Sequence, residues 1–155
     1  MHPLVSGRRL VLGGVDIPHD KGLEGHSDAD ALLHAIVDAV LGALGESDIG
    51  TFFPNSDPRW KNVASSLFLK EAAYQVQRCN GQIINIDATV IAQAPKIAPH
   101  IQEMKAAIAA ALGISVRQVG IKATTNEWLG FIGRGEGIAA MAVASIQLPE
   151  THGQS

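Results

Sequence analysis

The chain has little cysteine, little aromatic surface and little positive charge. Cys79 is the lone cysteine, so no internal disulfide can form and a disulfide-stapled secreted scaffold is excluded. Twelve Lys and Arg stand against fifteen Asp and Glu, spread thinly, which leaves no basic footprint for nucleic acid or an acidic membrane surface. No apolar run approaches the roughly 18 residues of a membrane span, and the amino end, Met1-His2-Pro3-Leu4, is not a signal peptide. The expected setting is therefore the cytoplasm, without nucleic acid or membrane as partner, and the sequence leaves a plastid origin open. Aromatics make up 5% of the chain, and the core must be filled by alanine, valine, isoleucine and leucine. Such small residues pack closely but fill a lone core poorly, which favours oligomerisation.

At 155 residues and 46% apolar, the chain can bury one good core. One domain over residues 1–148 with a flexible tail over 149–155 is expected. Leu10 to Leu12 reads as a short strand ending at Gly13-Gly14, with Val15 and Ile17 continuing it as a hairpin. Pro18 to Ser27 reads as a polar loop. From Asp28 to Leu44 the apolar residues Leu33, Ile36, Val37, Val40, Leu41 and Leu44 recur at helical spacing, and Gly45 is placed to end the helix. Asp30, His34 and Asp38 then share one flank. Asp57-Pro58 predicts a helix start, continuing through about Cys79.

Ile83 to Ala92 predicts a strand with Ile84, Ile86, Ala88 and Val90 on one side, stopped by Pro95. Pro99 opens a helix carrying Ile101, Met104, Ile108, Ala111 and Leu112 before Gly113, and Val116 to Lys122 and Ile138 to Leu148 are the last strands. Long helices between strands predict an α+β domain, a layered sheet with helices covering one face.

Chemistry concentrates in Gly25-His26-Ser27-Asp28-Ala29-Asp30 and the helix that follows it. Imidazole and carboxylate suit a zinc-like cation, and His34 could supply one donor with His26 or His2 brought close by folding. Unpaired amides at the helix start could instead receive phosphate, or Ser27 or Asp28 could simply cap the helix. Thr124, Thr125, Glu127 and Arg134 follow a strand in a glycine-bearing stretch, with hydroxyls and a guanidinium for a diphosphate and a carboxylate for a hard cation such as magnesium. Neither the glycine spacing nor the context is that of a Walker or dinucleotide loop. Ala92-Gln93-Ala94-Pro95-Lys96 is either a plain turn or a narrow pocket edge whose backbone reads a base. Asp48 is either a locally satisfied loop carboxylate or an acceptor for sugar hydroxyls.

Together, Leu12-Gly13-Gly14, Gly25-His26-Ser27-Asp28-Ala29-Asp30, Leu33-His34-Ala35, Asp48-Ile49-Gly50, Phe53-Pro54, Ala92-Gln93-Ala94-Pro95-Lys96, Lys122-Ala123-Thr124-Thr125 and Gly133-Arg134-Gly135-Glu136-Gly137 resemble the 2-C-methyl-D-erythritol 2,4-cyclodiphosphate synthase family, in family order. The resemblance implies a homotrimer with sites between adjacent subunits. It implies a phosphorus-oxygen lyase acting in the non-mevalonate isoprenoid pathway on a cytidine diphosphate substrate and releasing CMP. It assigns His2 and His34 to a zinc-like ion and Glu127 to a second divalent ion, magnesium or manganese. It assigns His26 and Thr125 to catalysis, with His26 and Ser27 at the methylerythritol phosphate and Asp38 lining the same region. Thr124 and Thr125 fall at the phosphates, with Arg134 as a charge partner, Asp48 and Gly50 at the ribose, and Ala92, Pro95, Lys96 and Ile97 at cytidine.

The family's Asp-x-His metal pair is represented here by His2 alone, so the sequence predicts a missing amino-terminal strand, weakened zinc binding and a strained or disordered start. Two other readings stay open at this point: metal-dependent phosphate-ester hydrolysis, and a trimeric cytidine-nucleotide-binding protein with impaired catalysis.

Overall fold

The computed structural model describes residues 1–54, 56–61 and 63–150. Among the described residues there are seven strands, five α-helices and three short 3-10 turns, the strands forming a five-stranded sheet in the order β4-β1-β7-β5-β6 and a separate hairpin, β2-β3. The strands are β1 (His2–Ser6), β2 (Leu10–Leu12), β3 (Val15–Ile17), β4 (Lys21–Leu23), β5 (Gln82–Ile91), β6 (Val119–Thr124) and β7 (Gly137–Gln147); the helices are α1 (Ala31–Ala43), α2 (Ile49–Phe52), α3 (Ser66–Arg78), α4 (Ile101–Leu112) and α5 (Gly130–Gly133). Pairing is antiparallel except between β5 and β6, where Ile86 faces Val119 and Ile91 faces Thr124 in parallel register. Residues 151–155 of the expected tail lie outside the described residues.

The hairpin and α1 follow directly from local chemistry. Gly13 and Gly14 both take positive φ, +60° and +76°, as a two-residue turn between strands requires. Leu32, Leu33, Ile36, Val37, Val40 and Leu41 of α1 are all buried, each contributing about 1.5–3 kcal/mol by leaving water. The helix packs on β7 and α3. Asp30, rather than Ser27 or Asp28, caps it. The Asp30 carboxylate accepts from the backbone N–H groups of Leu32 (3.1 Å) and Leu33 (3.0 Å), and also from those of Gly13 (3.0 Å) and Gly14 (2.7 Å). One buried side chain therefore welds the hairpin turn to the helix start. Burial pushes this carboxyl up to about 7, against the pull of those N–H donors. Ala29, at φ 58°, makes the tight bend that turns Asp30 inward.

Several expectations are corrected. The amino end is not disordered: β1 pairs with β4 on one side and β7 on the other, with His2 opposite Ile138. The loop from Pro18 to Ser27 contains β4, a three-residue strand hidden by its polar composition. Gly22 allows the Arg9 carbonyl an approach that any Cβ would block, at 2.1 Å. The single helix expected from Asp57 to Cys79 is two elements: a 3-10 turn (Pro58–Trp60) capped by Asp57, then α3. Tertiary bonds hold the intervening segment out of the helix, because Asp28 N–H donates to the Val63 carbonyl at 3.1 Å and Ser65 N–H donates to Asp28 at 3.0 Å. The expected strand from Val116 begins as a 3-10 turn, with β6 starting at Val119. On β5 a register shift between Ile83 and Asn85 buries Ile83 and leaves Ile84 exposed, whereas Ile86, Ala88 and Val90 keep the expected inward face.

Helices α1, α3 and α4 cover one face of the sheet. On β7, Met141 and Val143 are exposed at 67% and 68%, pointing away from that core.

Candidate active site

Two cavities that share no lining residue receive most of the site residues singled out in the sequence, while Asp38, Asp48, Glu127 and Arg134 line neither. The first, about 350 Å³, is lined by His2, His26, Ser27, His34, Gly50 and an aromatic wall of Phe53, Trp60 and Phe68. Three of the seven aromatics of the chain line this cavity. Phe53 and Phe68 lie 4.4 Å apart by ring centroid, Phe53 meets Trp60 edge-on at 5.1 Å, and Phe68 lies 6.0 Å from the His34 ring.

His34 stands one turn into α1, and β1 delivers His2 to it. The two rings meet nearly edge to face, with His2 Nε2 3.0 Å from His34 Nδ1. Behind His34, its Nε2 lies 2.8 Å from Ser65 Oγ and 3.3 Å from Ser27 Oγ. Burial lowers the pKa of both imidazoles, His34 to about 4 with the neighbouring His2 adding to the effect. Both rings are therefore neutral near pH 7, the state in which imidazole ligates a metal. Two ring nitrogens at this separation lie somewhat closer than the roughly 3.3–3.4 Å between neighbouring ligands of a tetrahedral cation bound at about 2.0–2.1 Å, so a small opening of the pair lets it supply two of the donors of a zinc-like ion. Among the described residues, no group of three or more His, Cys, Asp or Glu side chains converges as a ligand set.

His26 Nε2 is buried and has no hydrogen-bond partner among the described residues. A polar nitrogen left unpaired at a cavity wall costs stability unless a ligand or water meets it. Arg8, which the sequence reading passed over, holds this loop in place by donating to the carbonyls of Gly25 (3.3 Å) and Ser27 (3.0 Å). Asp38 accepts from Ile49 N–H at 2.8 Å, and Asp48 caps α2 through Thr51 N–H at 3.0 Å. Both carboxylates thereby fix the short helix that brings Gly50 to the rim.

The second cavity, about 220 Å³, opens at the carboxyl ends of the parallel pair β5 and β6, where α/β sheets commonly bind ligands. Ala92, Pro95, Lys96, Ile97, Thr124 and Thr125 all line it. Ala92 N–H donates to the Thr124 carbonyl at 3.0 Å, and the Ala94–Pro95 peptide is cis. Thr125 Oγ1 donates to Glu127 at 3.1 Å, and Gln93 Oε1 accepts from Trp128 N–H at 3.1 Å, tying the two loops together. Gly133 must be glycine, since a Cβ there would meet the Trp128 backbone at 2.2 Å. Arg134 lines neither cavity. It is exposed and paired two-pronged with Glu136 at 2.7 and 3.1 Å, which holds the Glu136 carboxyl below its ordinary range. Glu127 is likewise not joined to the His2 and His34 pair within one chain.

The fold and this divided site define a class before any comparison: an α+β domain that presents imidazoles in one cavity and threonines with backbone groups in another. The model of the YgbB family matches residues 1–147. A 2-C-methyl-D-erythritol 2,4-cyclodiphosphate synthase from Desulfatibacillum aliphaticivorans is 56% identical over 147 residues, 95% of each chain. The solved bifunctional IspDF from Campylobacter jejuni superimposes with a TM-score of 0.91 at 41% identity, over 96% of this chain and 40% of that one. A CDP complex of IspF from Plasmodium falciparum gives a TM-score of 0.82 at 36% identity, covering 97% and 92%. The chain belongs to the YgbB family, that of the 2-C-methyl-D-erythritol 2,4-cyclodiphosphate synthases.

Proposed function

We infer that this chain is the phosphorus-oxygen lyase that converts 4-diphosphocytidyl-2-C-methyl-D-erythritol 2-phosphate to 2-C-methyl-D-erythritol 2,4-cyclodiphosphate and CMP, in the non-mevalonate isoprenoid pathway. The observation that carries the reading is the first cavity, where neutral His2 and His34 converge beside the unpaired His26 Nε2, in a chain 56% identical to a synthase of that name.

In this reaction an oxygen of the 2-phosphate attacks the β-phosphorus, the bond from that phosphorus to the bridging oxygen breaks, and CMP leaves with the electron pair. The attacker is already anionic, so the protein must align the groups and neutralise charge rather than supply a strong base. His2 and His34 are the ligands for a zinc-like ion, which when bound would draw charge from the β-phosphate. His26 and Ser27 receive the methylerythritol phosphate, with Asp38 behind α2 and with Asp48 and Gly50 facing the ribose. Thr124 and Thr125 donate to the diphosphate, and Glu127 serves a second divalent cation, magnesium or manganese. Ala92, Pro95, Lys96 and Ile97 enclose cytidine, and a CDP complex of a relative supports that ligand class. Arg134 contributes positive charge nearby.

One chain supplies these groups in two separate cavities, which supports a homotrimer in which the first cavity of one subunit faces the second of its neighbour. The exposed apolar face of β7 supports the same assembly. The test is turnover of the cytidine diphosphate substrate with zinc and magnesium supplied, products resolved by phosphorus NMR. Equal amounts of CMP and cyclic diphosphate are expected. CMP with an open-chain 2,4-bisphosphate would indicate hydrolysis, and nucleotide binding without turnover would indicate a binding protein.

A further inference from the structure

A histidine can offer Nδ1 to a cation only in the tautomer that carries its proton on Nε2, and the group bonded to Nε2 decides which tautomer prevails. Behind His34 that group is Ser65, which the sequence reading did not single out. Ser65 is fully buried and stands immediately before α3, where a serine ordinarily caps the helix, yet its side chain makes no capping bond. It turns instead toward the cavity and bridges His34 and Asp28.

The hydrogen count along this bridge has one solution. Ser65 has a single hydroxyl hydrogen, and it donates to Asp28 Oδ1, which as a carboxylate oxygen can only accept. Toward His34 Nε2, 2.8 Å away, Ser65 Oγ must therefore accept, which places the imidazole proton on Nε2. Asp28 cannot swing away, because its other oxygen accepts from Ser65 N–H at 3.0 Å and Oδ1 also accepts from Asp30 N–H at 3.2 Å. Ser27 Oγ accepts from Ala29 N–H at 3.2 Å and lies 3.4 Å from Ser65 Oγ, so its own hydrogen can point at Ser65. Ser27 Oγ also lies 3.3 Å from His34 Nε2, so the direction at His34 is set by Ser65, whose one hydrogen is committed to Asp28. His34 Nδ1 is left with its lone pair facing His2 Nε2.

We propose that Ser65, oriented by Asp28, is a positioning residue that fixes the Nε2–H tautomer of His34 and so sets the affinity of the His2 and His34 pair for a divalent cation. The inference rests on the reading of those two histidines as the metal pair. It also explains why a serine at a helix start is spent inward: the alternative role, capping α3, is one it does not perform.

The tautomer is read directly on the metal-free, full-length protein labelled with ¹⁵N-histidine, by long-range ¹H–¹⁵N correlation at neutral pH. His34 is expected with its proton on Nε2; a proton on Nδ1 would overturn the proposal without recourse to any variant. Ser65→Ala is expected to populate both tautomers and to raise the zinc Kd, measured by chelator competition, about ten- to a hundredfold, while Ser65→Thr restores both readouts. Wild-type tautomer and wild-type zinc affinity in folded Ser65→Ala would also overturn it. His34→Ala separates the two claims, since an unchanged zinc Kd in that variant would remove the metal reading itself, whatever the tautomer.

Discussion

The two cavities are built in opposite ways. The histidine cavity is assembled from buried and half-buried groups with fixed partners: Asp30 sealing the start of α1, Ser65 and Asp28 behind His34, and Arg8 across the loop of His26. The cavity at the ends of β5 and β6 is made of loop backbone and largely exposed side chains around buried Ala92 and Ile97, with Thr125 held among the described residues by its own neighbours Glu127 and Thr124. The difference teaches where precision is placed. A cation and a reacting phosphate need directed lone pairs and fixed distances, whereas a base can be enclosed by small residues and main-chain groups. Mutations should therefore damage the first region through affinity and folding, and the second through substrate handling alone.

The largest effect is expected for His34→Ala, which removes one of the two proposed metal ligands. Loss of zinc binding and a drop of about a thousandfold in turnover are expected, several kcal/mol of charge stabilisation being at stake. Calorimetric zinc titration with steady-state assay checks both. Near-wild-type turnover would erase the contrast between the regions.

Asp30→Ala comes next, and it should act on stability. Four backbone N–H groups lose their acceptor, at about 3 kcal/mol, or roughly 10 °C in the thermal midpoint by calorimetry. An unchanged midpoint would show that the hairpin turn and α1 are not joined through this side chain.

A comparable but pH-dependent effect belongs to His34 in the metal-free protein. Its pKa falls from 6.5 in the unfolded chain to about 4 in the folded one, so between these values the unfolded chain binds more protons. Its contribution is complete above pH 6.5 and is lost as pH falls toward 4, by about 3 kcal/mol. Denaturant unfolding of wild type and His34→Gln from pH 7 to 4 isolates it from the opposing contribution of Asp30. The wild type should lose its relative advantage on acidification, and parallel curves would contradict this.

The smallest structural effect is expected in the second cavity. Thr125→Val should leave the unfolding free energy within about 0.5 kcal/mol of wild type, yet lower turnover about tenfold to a hundredfold through loss of a donor to the developing charge. A folding defect in this variant would mean that the two regions are less distinct than their burial implies.

Much of this arrangement is legible in the chain because it is local. Gly13-Gly14 announces its turn, the apolar spacing from Leu33 to Leu41 announces α1, and the motif around His26 announces chemistry. What is not legible depends on groups far apart in sequence. Ser65 falls inside the helix expected from Asp57 to Cys79, and only its approach to residues 31 and 37 positions earlier reveals its role. β4 escapes notice because three residues with a central glycine carry no periodic signal. The cap of α1 was misassigned between Ser27 and Asp28, because the bend at Ala29 that turns Asp30 inward is set by the distant hairpin. The five residues of β1 show the same limit from the other side, since pairing on both edges orders a segment whose sequence alone suggested disorder.

The proposed division of one site between two subunits is tested most directly by mixing two impaired chains. His34→Ala disables the first cavity and Thr125→Ala the second, so coexpressed chains should form mixed trimers in which one interface joins two intact halves. Turnover restored in the mixed trimers, above that of either variant alone, is the predicted result. Mixed trimers that form but release no CMP would contradict it.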